Sequence, residues 1–212
     1  MTQSVLTADT LRDWIRKAAD VLSENRAYLT DLDSPIGDAD HGNNMQRGFN
    51  AASAALPPGE DPAAVAKAVA MALISKVGGA AGPLYGTYFL ALAKRFEGAA
   101  PLDIDALASA LEEAVAAVKK RGKAETGMKT MIDALDPAAV ACRMEATQGG
   151  TVSLAVQAAA KAAEAGASAT VPMLAQRGRA SYLGDRSKGH QDPGATSSAM
   201  ILRALADVVA GR

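Results

Sequence analysis

DIDALASALEEAVAAVKKR, residues 103–121, decides the fold class. Ile104, Leu107, Leu111, Val115 and Val118 recur at spacings of three and four, so one face of a helix is apolar. The same period extends toward the N-terminus. Leu11, Trp14, Ile15, Ala18, Val21, Leu22 and Leu29 predict one amphipathic helix from Thr7 to Leu32. Further helices are predicted over 43–56, 62–77, 84–96 and 128–146, the 62–77 helix bounded by Asp61 as N-cap and Pro62 as first helical residue. A bend is expected at Asp136-Pro137. Toward the C-terminus, a helix from Thr151 to Ala165 is expected to stop at Gly166. A last one, from about Thr196, packs Met200, Ile201, Ala204, Leu205, Val208 and Val209. No strand alternation, repeat or flexible linker interrupts the series. The expectation is an all-α fold: a single domain over residues 1–212, an antiparallel bundle of about eight amphipathic helices.

Charge and cysteine content exclude several functions. Lys and Arg total 22 against 23 Asp and Glu, so no basic surplus favours nucleic acid or an anionic membrane as partner. No segment approaches the roughly 20 apolar residues of a membrane span, and the first residues do not resemble a signal peptide. Cys142 is the only cysteine, which excludes an intrachain disulfide and a thiolate zinc cluster. It reads as a small helix residue, and Trp14 and the methionines as core. A cytoplasmic location fits this set.

Three irregular segments, 33–44, 78–87 and 178–197, carry the chemistry-bearing residues, including both histidines, His41 and His190. The first places Asp33, Asp38 and Asp40 just before a helix start. Carboxylates this close repel unless a cation lies between them, and an all-oxygen donor set suits Mg²⁺ or Ca²⁺. The twelve-residue EF-hand pattern is absent. A helix start beside them adds free N–H groups and positive dipole, so a polyphosphate site is one reading. Helix caps and Asx-turns are the other, and spacing alone leaves both open. The second segment, GGAAGPLYGT (78–87), suits either backbone N–H contacts to phosphate or a tight turn between packed helices; it is not a Walker A loop. The third, with Arg177 just before it, carries Arg179, Arg186 and Lys188 near an Asp192-Pro193-Gly194 turn, as a phosphate-recognising or a solvated loop would.

Four blocks settle between these readings: LDSPIGDADHGNNMQRGF (32–49), GGAAGPLYGT (78–87), RGKAETGMKTMIDAL (121–135) and GRASYLGDRSKGHQDPGATS (178–197). In this order they resemble the L subunit of dihydroxyacetone kinases, and the likeness covers nearly the whole chain. The resemblance implies an eight-helix antiparallel barrel with ADP or ATP at one end. It implies that Asp33, Asp38 and Asp40 hold two Mg²⁺ ions bridging the phosphates. By the same matching, His41, Asn43 and Asn44 line the nucleotide, and Gly79, Ala80 and Ala81 cradle phosphates. Gly127, Arg179, Asp192, Pro193 and Gly194 close around the remainder. Position 39 is alanine where the family usually has glycine, and position 81 is alanine where many members have serine.

The family's ketose is bound on a separate K subunit, so this chain alone is expected to be inactive on the sugar. A free-standing L chain favours the mode in which bound ADP is recharged by an M subunit of the phosphoenolpyruvate-dependent phosphotransferase system. An ATP-dependent kinase for a four-carbon ketose is the alternative within the family. Outside it stand an ADP-sensing protein that contacts a transcription regulator and a di-magnesium phosphohydrolase.

Overall fold

Trp14 is buried, with its ring 5.5 Å from Phe89 and its indole N–H donated to the Ile201 carbonyl at 2.7 Å. That one side chain joins the beginning, middle and end of the chain. The computed structural model describes residues 5–99 and 102–211; residues 1–4, 100, 101 and 212 of the expected domain lie outside it. Nine α-helices are found among the described residues: α1 (Ala8–Glu24), α2 (Arg26–Asp33), α3 (His41–Ala54), α4 (Pro62–Lys76), α5 (Ala81–Phe96), α6 (Ile104–Gly122), α7 (Ile132–Thr147), α8 (Val152–Ala169) and α9 (Pro193–Ala210). A 3₁₀ segment, Arg179–Ser187, precedes the last. Among the described residues, extended pairing is limited to one bridge, Leu6 with Leu102. None of the helices is long and apolar enough to cross a membrane.

The helices close into a ring. From α3 to α9 each packs on its chain neighbour, α3 also packs on α1, and α9 returns to α1. α2 continues α1 and leans on α3. Eight positions result, with alternating direction, around a core of Leu, Ile, Val, Phe and many alanines. Alanine at the helix contacts keeps side chains short where helices approach closely. Glycine does so at the tightest points. A Cβ on Gly42 of α3 would lie 2.0 Å from the Arg26 carbonyl oxygen of α2.

Several boundaries differ from expectation, each for a local reason. The helix predicted from Thr7 to Leu32 is broken at Asn25, whose side-chain amide donates to the Val21 carbonyl at 2.8 Å and ends α1. α5 starts at Ala81 rather than Leu84, because Pro83 falls in the first turn, where no N–H is needed. α7 starts at Ile132 rather than Met128; Lys129 has φ 60°, which a helix cannot contain. Gly166 does not end α8. It lies inside that helix, where a Cβ would sit 2.0 Å from the Asp133 carbonyl of α7. α9 begins at Pro193 rather than near Thr196, with Asp192 as its N-cap.

Because Gly42 is in contact with backbone, Gly42→Ala must push α2 from α3. Urea unfolding should show a loss of about 1–3 kcal/mol. An unchanged midpoint would contradict this packing.

Candidate functional site

Alternating direction gives the two ends of the ring different chemistry. α1, α4, α6 and α8 start at one end, and each has a side-chain cap on its first turn: Thr7, Asp61, Asp103 and Thr151. α3, α5, α7 and α9 start at the other. There Asp192 caps α9, but the N-cap residues of α3, α5 and α7 make no side-chain cap. First-turn N–H groups have no acceptor within their own helix, so donors and positive dipole ends gather at this second end. A cavity of about 510 Å³ opens between those four helix starts.

The carboxylates sit on its rim. One oxygen each of Asp33, Asp38 and Asp40 can be chosen so that all three lie within 4.8 Å of one another. Asp33, at the end of α2, is buried and accepts the Asp40 N–H at 3.0 Å and the His41 N–H at 3.3 Å, which folds the loop back onto its own start. The loop also needs Gly37, since a Cβ there would overlap the Asp33 carboxylate at 1.9 Å. Ala39 has φ 57°, the left-handed region where side chains are strained by about 1–2 kcal/mol. Asp38 and Asp40 are exposed, and Arg179 pairs with Asp38 at 2.8 Å.

His41 is turned inward. Its Nε2 lies 2.8 Å from the Ser197 hydroxyl, which lies 2.7 Å from the Tyr85 hydroxyl. Tyr85 also reaches Ser198 at 2.8 Å and donates to the Gly194 carbonyl at 3.1 Å. Burial lowers the His41 pKa, against the opposing pull of Asp33 and Asp40. Burial likewise raises the Tyr85 phenol to about 12. Both groups are therefore neutral near pH 7, and they tie α3 and α5 to the start of α9.

Of the residues singled out from sequence, Asp33, Asp38, Asp40, His41, Asn44, Gly79, Ala80, Ala81, Arg179, Asp192, Pro193 and Gly194 all line this cavity. Asn43 and Gly127 do not. The Asn43 side chain accepts from Arg26 at 3.0 Å, and the Gly127 N–H is held by the Asp133 carboxylate. The walls include residues to which the sequence reading gave no part in the site: Leu84, Val118, Arg121, Lys129, Met131 and Ile132. Leu84, Val118, Met131 and Ile132 give the α5–α6–α7 side an apolar wall. Only their position at helix ends facing one another distinguishes them from ordinary core residues, and spacing does not reveal that.

The donor set fits a divalent cation with a polyphosphate. All-oxygen carboxylate ligands, two of the three exposed to exchange with water, suit Mg²⁺, which retains ligand positions for phosphate. The α5 start, which has no side-chain cap, supplies N–H donors to the anion. The apolar wall suits a flat base.

The DAK2 domain model matches residues 35–207. The chain belongs to the DAK2 domain family. Relatives in the family include the ADP-binding subunit DhaL of the PEP-dependent dihydroxyacetone kinase of Escherichia coli (strain K12), 43% identical over 92% of this chain and 93% of that subunit. The ADP-binding subunit DhaL of the PTS-dependent kinase of Lactococcus lactis is 42% identical over 97% of this chain and all of its own. The dihydroxyacetone kinase of C. freundii superimposes with a TM-score of 0.72 at 26% identity, over 98% of this chain. This chain spans 35% of that longer kinase, whose complex with AMP-PNP and Mg²⁺ superimposes with a TM-score of 0.71. The eight-position ring is thus the fold of the dihydroxyacetone kinase L subunit.

Asp192 provides a pH test of the cavity wall. Burial raises its pKa from 3.8 to about 7. The folded chain therefore holds a proton that the unfolded chain has released between about pH 4 and pH 7. Stability due to this group falls as pH rises through that window, then levels off. Asp192→Asn keeps a side-chain acceptor for the Ala195 N–H and lacks the titration. The stability of the parent relative to the variant, from urea unfolding without nucleotide, should decline from pH 5 to about 7 and stay flat above. Parallel profiles would contradict the burial of this carboxylate.

Proposed function

We propose that this chain is the nucleotide-bearing subunit of a dihydroxyacetone-type ketose kinase. It holds ADP or ATP with two Mg²⁺ ions and passes a phosphoryl group to a ketose on a separate K subunit. The observation that carries this reading is the contrast between the ring's two ends: four starts capped by their own N-cap residues at one, and at the other the α5 start, which has no side-chain cap, sharing a cavity with three carboxylates. In the proposed complex Asp33, Asp38 and Asp40 hold the metal, which neutralises phosphate charge when bound. Gly79, Ala80 and Ala81 offer backbone N–H groups to phosphate oxygens. With alanine at 81 no hydroxyl is available, so the contact is through the main chain. Arg179 lies close enough to this rim to add a cation. Phosphoryl transfer depends chiefly on positioning and charge neutralisation, so no covalent nucleophile is required here.

The choice of donor rests on likeness. Subunits named ADP-binding and PEP- or PTS-dependent are 42–43% identical to this chain. Triokinase/FMN cyclase of Homo sapiens is 35% identical. That supports the mode in which ADP stays bound and is recharged by the phosphotransferase system in the cytoplasm. The 1–212 chain then acts as one nucleotide-binding domain, inactive on ketose without its K partner.

Asp38 is the position to test, because Asp33 also supports the loop backbone. Asp38→Asn should weaken magnesium-dependent ADP binding by about 10–100-fold in isothermal titration of protein first stripped of nucleotide with a chelator, with the helical circular dichroism unchanged. Retention of parent affinity would remove the metal assignment. Protein denatured straight after purification should release near-stoichiometric ADP; an empty protein that exchanges ATP would favour the ATP-dependent mode.

A further inference from the structure

Lys129 is 1% exposed, although lysine is rarely buried without a carboxylate partner. Its ammonium is spent on backbone. It donates to the Thr170 carbonyl at 2.8 Å, to the Val171 carbonyl at 3.4 Å and to the His190 carbonyl. The first two acceptors follow the C-terminus of α8, where a cation is favoured by the helix dipole. The third belongs to the loop leading into α9. One side chain therefore joins three segments, and the backbone at Lys129 adopts the left-handed φ 60° as it does so.

The neighbouring bonds converge on the same loop. The Gly189 N–H donates to the Val171 carbonyl at 2.8 Å. The Asp192 N–H donates to the Thr170 hydroxyl oxygen at 2.9 Å, and that hydroxyl donates to the Ala167 carbonyl at 2.6 Å. Residues 189–192 are thus stitched at three points to the end of α8 and to Lys129. The residues that follow, Asp192-Pro193-Gly194, form one wall of the cavity. A loop of this length without the stitches would leave that wall free to shift. Burial lowers the Lys129 pKa, while Asp192 and Asp133 act in the other direction. Filling the same space with an apolar side chain would avoid that desolvation, which makes stability alone a poor reason for lysine here.

We propose that Lys129, with Thr170, is a positioning residue for the nucleotide, fixing the Asp192-Pro193-Gly194 turn against the cavity. The proposal rests on the nucleotide reading above. Lys129 borders the cavity, but its ammonium is directed away from it to the three carbonyls, so its effect passes through the loop, and Thr170, which does not line the cavity, reports on the loop alone.

Isothermal titration with ADP and magnesium tests it on four proteins, each first stripped of bound nucleotide with a chelator and shown to be empty: the parent, Lys129→Met, Thr170→Val and Leu107→Ala. Leu107 is buried near the start of α6, at the end of the ring away from the cavity, so its truncation lowers stability without touching the loop. All are compared well below their melting temperatures. Lys129→Met should weaken ADP by about tenfold or more, since small displacements of binding groups are costly. Thr170→Val should weaken it by a smaller factor, and Leu107→Ala should match the parent. Parent-like affinity in Lys129→Met, or an equal loss in Leu107→Ala, would overturn the proposal. If Lys129→Met does not fold, Thr170→Val decides, and unchanged affinity there overturns it. A parent that fails to bind would instead remove the nucleotide reading, and this proposal with it.

Discussion

Unsatisfied N–H groups at helix starts are the constraint on which this molecule depends. Each α-helix begins with donors that have no acceptor of its own, and a ring of alternating helices collects them at both ends. At one end the chain satisfies them with Thr7, Asp61, Asp103 and Thr151. At the other, the N-cap residues of α3, α5 and α7 make no such caps; Asp33 and Thr130 take the first N–H of α3 and α7, α5 is left without a side-chain acceptor, and a cavity opens there. Donors without caps are a cost to folding that an anion offsets on binding. The carboxylates on the rim complete the logic, because they would repel a phosphate unless a cation joined the two.

Closing the ring makes that end rigid enough to matter. Trp14 locks α1 to α5 and α9, and the hydroxyls of Tyr85, Ser197 and Ser198 with His41 join α3, α5 and α9 immediately below the cavity. The loop residues depend on close approach: Gly37 beside Asp33, and Gly42 against α2. Lys129 performs the same task for the wall formed by the start of α9. The polar groups under the site thus mostly bind one another, which leaves the rim for a ligand.

Much of this was legible in the sequence, and the exceptions have physical causes. Periodicity located the helices because each buries one face, and the family resemblance supplied the ring and its ligand end. Asp61-Pro62 was readable as an N-cap and first helical residue. Asp192-Pro193 has the same chemistry and starts α9 in the same way, yet the glycine after it favoured a turn reading. Gly166 resembled a stop because its contact with α7 is a tertiary fact that no local window contains. The break at Asn25 comes from one side-chain amide competing for a carbonyl within an otherwise unbroken apolar period. Lys129 lay inside a recognised block and carried no signal of burial, since lysine is ordinarily at the surface.

The most direct measurement is a crystal structure of the protein grown with ADP and Mn²⁺ in place of Mg²⁺, with the metal located by anomalous scattering. The account predicts manganese among Asp33, Asp38 and Asp40, with phosphate oxygens against the first turn of α5. Metal bound elsewhere, or nucleotide seated away from the uncapped helix starts, would contradict it.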